Sequence, residues 1–134
     1  MELVSRWKDR PNILFPGHID FSEIPFLLAD SDIFCLPSRF IEGQPTVILE
    51  AGYCGVPVVA TANGGIPEVI TDGETGLLIE SGSISQLRNQ LQALIDSEEK
   101  RGVLGRALQR RVSDQFTWAA AGAKLRGIIE SETD

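Results

Sequence analysis

Short apolar runs closed by proline, glycine or serine alternate along this chain with segments of helical length, and no other feature limits its fold so strongly. Four runs read as strands: Asn12 to Phe15, Asp32 to Leu36, Pro57 to Ala60 and Gly76 to Ile79. Runs that are apolar throughout are expected to be buried on both faces, which is the condition of a parallel sheet covered by helices. Helices are expected at about Ser22 to Ala29, with Ser22 as N-cap, at Pro45 to Cys54, and in a short segment near Pro67 to Ile70. Beyond the last strand the spacing is helical only. Ile84, Leu87, Leu91, Leu94 and Ile95 form one core stripe, and Val103, Leu104, Leu108, Val112 and Phe116 form a second. Thr117 is placed to cap a last helix whose Trp118, Leu125, Ile128 and Ile129 would pack back, with Ser131 to Asp134 fraying. The expected fold is α/β: a Rossmann-like parallel sheet of about four strands with helices on both faces, in one domain whose core spans about residues 12 to 130.

Charge excludes some partners. A formal net charge of −7 attracts neither nucleic acid nor an anionic membrane, so any phosphate recognition has to be local. Arg106, Arg110 and Arg111 are the single basic concentration and read as a solvated helix face. No apolar run reaches membrane-spanning length, and Met1 to Arg6 lack the pattern of a secretory signal, so the expected compartment is the cytoplasm. Cys35, in an expected strand, and Cys54, at a helix end, could form one bridge or none, and free thiols are the simpler reading. No metal-ligand spacing is present.

The segment Glu42-Gly43-Gln44-Pro45-Thr46-Val47-Ile48-Leu49-Glu50 carries the chemistry. Gly43 permits close backbone approach, and Pro45 suits the first helical position because its missing N–H costs nothing there. Glu42 then stands just before a helix mouth, where free N–H groups and the macrodipole favour an anion, and Glu50 lies along one wall. A ligand with an anionic centre and hydroxyls at both ends would fit. Taken alone, two glutamates eight positions apart are equally a pair of solvated charges.

The order of motifs around that pair is more specific. Gly52-Tyr53-Cys54-Gly55-Val56-Pro57-Val58-Val59-Ala60-Thr61 leads into Gly64-Gly65-Ile66-Pro67-Glu68 and then Asp72-Gly73-Glu74-Thr75-Gly76-Leu77-Leu78-Ile79. Upstream stand Ile13-Leu14-Phe15-Pro16-Gly17-His18-Ile19 and Ala29-Asp30-Ser31-Asp32-Ile33-Phe34-Cys35-Leu36-Pro37-Ser38, and Phe116-Thr117-Trp118 follow. The chain resembles, over roughly residues 12 to 130, the C-terminal nucleotide-sugar-binding domain of group 1 (family 4) glycosyltransferases of GT-B architecture.

The resemblance implies roles. Glu42 would contact the donor sugar hydroxyls and is the candidate catalytic residue. The amides of Gly43, Gln44, Thr46 and Val47 would hold the diphosphate and sugar, Pro45 being unable to donate. Glu50 would bind the ribose hydroxyls, and the backbone at Gly17, His18 and Ile19 would lie against the base. His18 equally fits a plain loop residue. Gly64 and Gly65 fit a turn, with nearness to the donor as a second role, while Ser38 and Arg39 would face the cleft mouth. The implied reaction is retaining glycosyl transfer from a nucleotide-diphosphate sugar, with no metal and no further cofactor. The family's acceptor domain and the Arg and Lys that neutralise the diphosphate are not matched, because Arg6, Lys8 and Arg10 do not stand in that spacing. The polypeptide reads as an incomplete, truncated donor domain, expected to be inactive alone. The alternative is a non-catalytic nucleotide-sugar-binding or protein-interaction module. A hydrolase or reductase is disfavoured, since Gly-x-Ser-x-Gly and Gly-x-Gly-x-x-Gly are both missing. In the family's strand order two strands would lie between the first two runs named above, which leaves the edge of Asp32 to Leu36 bare. Either the first run moves over to pair there, or a second chain does so, as a homodimer or as a partner supplying the missing half.

Overall fold

The sheet is built around Val58–Thr61 (β2), which is buried at every position. In the computed structural model, which describes residues 2–131, β2 pairs in parallel with Phe34–Leu36 (β1) on one side and Leu77–Ile79 (β3) on the other. Cys35 is opposite Val59, and Ala60 is opposite Leu78. Period-two geometry sends Val58 and Ala60 to one face and Val59 to the other. The first face packs Ile48 and Ala51 of Thr46–Tyr53 (α3), Ile66 and Val69 of Ile66–Val69 (α4), and Leu108 and Val112 of Glu98–Gln115 (α6). The second packs Leu77 and Ile79 against Leu94 of Ile84–Ile95 (α5) and Leu104 of α6. Both faces of the sheet are thus helix-covered, as the unbroken apolar runs require.

Helix ends follow from local chemistry. Ser83 caps α5 by accepting from the Gln86 amide at 3.4 Å, and Ser97 caps α6 by accepting from the Lys100 amide at 3.1 Å. α3 and α6 make the most extensive helix contact of the fold. Gly52 permits it, since a Cβ there would lie 2.8 Å from Val112 Cγ2 and 2.9 Å from Leu108 Cγ. Thr117 accepts from the Ala120 amide at 3.1 Å and opens Trp118–Ser131 (α7), as its position predicts.

Several expectations need correction. The sheet has three strands, not four: Asn12 to Phe15 form no strand, and Leu14 is 84% exposed. An apolar run becomes a strand only when a neighbour takes its backbone hydrogen bonds, and among the described residues nothing pairs with 12–15 or with the outer edge of β1. Glu2–Trp7 (α1) is a helix that was not anticipated. Ser22 does not cap Ile24–Ala29 (α2); its amide and hydroxyl donate to Asp20 Oδ1 at 3.0 and 2.7 Å, and these bonds hold the Asp20 carboxyl below its usual range. Ile84, Ile95 and Val103 lie at the margins of their stripes and are exposed. α7 does not pack back: none of its residues is buried, and Trp118 is 93% exposed. The fraying expected from Ser131 onward falls, for 132–134, outside the described residues. Arg111 is no solvated charge, because Nη2 donates to the Glu68 carbonyl at 2.9 Å and ties α6 to α4.

Candidate functional site

The loop from β1 to α3 runs along the C-terminal ends of the strands, where open α/β sheets bind their ligands. Its last residue, Pro45, is the N-cap of α3, with φ −68° and ψ 110°, and has no side-chain group to cap with. The mouth of α3 is consequently left open. Among the described residues the amides of Gly43, Gln44, Thr46 and Val47 have no hydrogen-bond partner, and they stand at the positive end of the helix dipole.

Glu42 is half-buried in the same loop, and the Ser38 hydroxyl donates to its Oε1 at 2.5 Å. One carboxylate oxygen is therefore tethered, and the other is left for a ligand hydroxyl. Glu50, on the second turn of α3, has no side-chain hydrogen bond among the described residues. It borders a cavity of about 260 Å³ whose other walls include Pro25, Tyr53, Val112 and Phe116.

The remaining sequence-derived candidates divide. Gly64 and Gly65 do sit against the Glu42 loop, but as its support. The Gly65 amide donates to the carbonyls of Glu42 at 3.0 Å and Gly43 at 2.9 Å. Gly64 has φ +52°, and a Cβ on it would overlap the Glu42 carbonyl, while one on Gly65 would overlap that of Gly43. Arg39 is exposed and borders a different cavity, of about 200 Å³, with Thr61, Ile79 and Ile84. Gln44 and Thr46 border a third, of about 510 Å³, together with Lys124 of α7. Gly17, with φ +73°, and His18 lie in an exposed loop, Ile19 is half-buried, and none of the three bonds to the Glu42 loop.

Two residues escaped the sequence reading. Asn63, beside the Gly-Gly pair, donates through Nδ2 to the carbonyls of Phe40 at 2.9 Å and Ser38 at 3.3 Å. Asparagine before a glycine turn is the signal that could have drawn notice, since its amide reaches nearby backbone. Lys124 had none, because its position depends on where α7 lies. Both cysteines are free thiols, and burial pushes the Cys35 thiol above its ordinary value of 9.0. No described helix is long and apolar enough to cross a membrane.

Comparison with known proteins follows the same geometry. The family model described as glycosyl transferases group 1 matches residues 6–111. The chain is 35% identical over 127 residues to the GDP-mannose-dependent monoacylated alpha-(1-6)-phosphatidylinositol monomannoside mannosyltransferase of Corynebacterium glutamicum, covering 90% of this chain and 33% of that protein. Among solved structures it superposes on sucrose-phosphate synthase from Thermosynechococcus elongatus with a TM-score of 0.85 at 26% identity, over 98% of this chain and 33% of that one. The HepE protein of Anabaena in complex with UDP-glucose matches with a TM-score of 0.84 at 27% identity, over 97% and 35%. The chain thus spans about a third of the length of each of these three relatives.

Proposed function

The chain belongs to the group 1 glycosyl transferases, and from that membership we propose that these residues form the donor-binding part of an enzyme that transfers a sugar from a nucleotide-diphosphate sugar. The observation that carries the reading is the pairing of a tethered carboxylate, Glu42, with four open amides at the mouth of α3. The amides are suited to the diphosphate, which gathers charge as it leaves, and the free oxygen of Glu42 is suited to a sugar hydroxyl. Glu50 takes the ribose diol with both carboxylate oxygens. As the anomeric carbon passes through an oxocarbenium-like state, Glu42 orients the ring and α3 stabilises the leaving group. The reading needs no metal. Gly17 to Ile19 are assigned to the base, and Lys124 is a cation that shares a cavity with Gln44 and Thr46 of the mouth, whereas Arg39 borders a separate one.

Because the chain spans about a third of the length of these relatives, we read donor binding, and not turnover, as the property of these residues by themselves. Affinity is expected near the millimolar range, about −4 kcal/mol, because amides hold a diphosphate less firmly than bidentate arginine. Saturation-transfer NMR against UDP-glucose, GDP-mannose and their nucleotides tests the reading. Transfer to sugar and ribose protons is the expected result, and no transfer from any of the four overturns it. Repeated turnover by this polypeptide, abolished in Glu42→Ala, would overturn the restriction to binding.

Two finer points belong to the same proposal. The open outer edge of β1, with Ile33 to Leu36 half-buried, is read as paired by a second copy of the chain. Free Cys35 and Cys54 accord with a reducing compartment, and we assign the chain to the cytoplasm on that basis.

A further inference from the structure

We propose that Asn63 is a positioning residue for Glu42: its side-chain amide holds the 38–42 loop in the arrangement that lets the Ser38 hydroxyl seat the Glu42 carboxylate toward the donor sugar. The proposal rests on the reading of Glu42 as the sugar-contacting group.

Asn63 lies in the turn between β2 and α4. The two groups that Nδ2 reaches, the Phe40 and Ser38 carbonyls, are both acceptors, so the orientation of the amide is fixed by its surroundings. Turned over, Oδ1 would face two carbonyl oxygens. The orientation that satisfies them leaves Oδ1 buried with no hydrogen-bond partner among the described residues. An acceptor buried without a donor is unfavourable, so the site gives up stability for the placement of Nδ2.

That placement leads to the carboxylate by a short route. Ser38 is held at both ends, its carbonyl by Asn63 and its hydroxyl on Glu42 Oε1 at 2.5 Å. Phe40, whose carbonyl Asn63 also holds, lies between the two in sequence. The Gly65 amide then fixes the backbone of Glu42 and Gly43 from the same turn. Asn63 and Gly65 thus grip the loop at the carbonyls of Ser38, Phe40, Glu42 and Gly43, and neither hydrogen-bonds to the carboxylate itself. Asn63 acts through Ser38, which makes its role one of positioning.

The test has one arm without ligand and one with it. In the first, the side-chain carboxyl carbon of Glu42 is followed by NMR. Asn63→Ala and Ser38→Ala should each move that resonance, and the double variant should move it no further than Ser38→Ala alone. An unmoved signal in Asn63→Ala, or fully additive shifts, overturns the proposal. In the second arm, UDP-glucose is compared with UDP and GDP-mannose with GDP. Asn63→Ala should weaken the nucleotide sugar by about tenfold, the effect of losing a hydrogen bond that orients a charged group, and leave the nucleotide unchanged. In a Glu42→Ala background it should cost nothing further. Equal losses for sugar and nucleotide would make Asn63 merely structural and overturn the proposal. If the unaltered chain binds none of the four, the donor reading fails and the first arm alone decides the positioning role. Asn63→Asp, equal in shape but unable to donate when ionised, is read in the same two arms should Asn63→Ala not fold, with the same outcomes expected.

Discussion

Glu42 and Glu50 are held by different means, and their substitutions should differ accordingly. Glu42 has one oxygen engaged by Ser38, whereas Glu50 rests against apolar walls with both oxygens free. A cis-diol can be met by two free oxygens at once. Glu50→Gln is therefore expected to weaken UDP and UDP-glucose alike by about tenfold while leaving glucose 1-phosphate unaffected, which titration by NMR would read. Equal weakening of all three would exclude a ribose role. Cys35 gives a second prediction at this scale. Burial raises its folded-state pKa above 9.0, so the folded chain keeps the proton to higher pH than the unfolded chain does. Its contribution to stability is present below pH 9 and declines as pH rises past 9.0, and Cys35→Ser should flatten that part of a pH–stability curve measured by denaturant unfolding. An unchanged slope above that pH would show that another group controls it.

At the scale of elements, α3 is unlike α5 and α6 in lacking a side-chain cap. Stability and ligand binding compete there for the same N–H groups. Pro45→Asp should cap α3, adding about 1 kcal/mol to the unfolding free energy, and at the same time occupy an amide that the donor needs. A higher melting temperature with weaker UDP binding is the expected pair of results, and gains in both would show that the mouth of α3 is not used. Gly52→Ala should destabilise the fold by about 1–3 kcal/mol in calorimetry, because the added methyl meets Val112 and Leu108 where α3 and α6 cross. The elements that could be read from sequence are those whose burial is decided by their own residues: Val58 to Ala60 have no polar face to expose, and Thr117 caps the helix that follows it. Those that could not be read depend on a neighbour. Asn12 to Phe15 are as apolar as β1 yet find no strand to pair with, and Trp118, Leu125 and Ile128 have helical spacing that names a face without naming what covers it. The site divides in the same way: Glu42, Glu50 and the open amides follow from one contiguous motif, whereas the part played by Asn63 arises only when β2 brings its turn beneath a loop more than twenty residues away.

For the whole molecule, the bare edge of β1 makes association measurable. Light scattering over a range of concentrations is expected to show a dimer, with the outward-facing amides of Ile33 and Cys35 exchanging slowly in the dimer and quickly on dilution, while Phe34, whose amide already donates to the Pro57 carbonyl, stays protected. A monomer at every concentration with the same slow exchange would mean that the edge is closed within one chain. The strands of this sheet stand in space in the order in which they are made, β1 then β2 then β3, so each pairing joins one strand to the next along the polypeptide. Such an arrangement is open-ended: another strand-and-helix repeat spliced ahead of β1 could dock on its free side by the same right-handed step, with no existing connection rethreaded and the loop that carries Glu42 undisturbed. Growth by accretion at one margin is therefore available to this architecture, and sheets of different width can share a single ligand-binding rim.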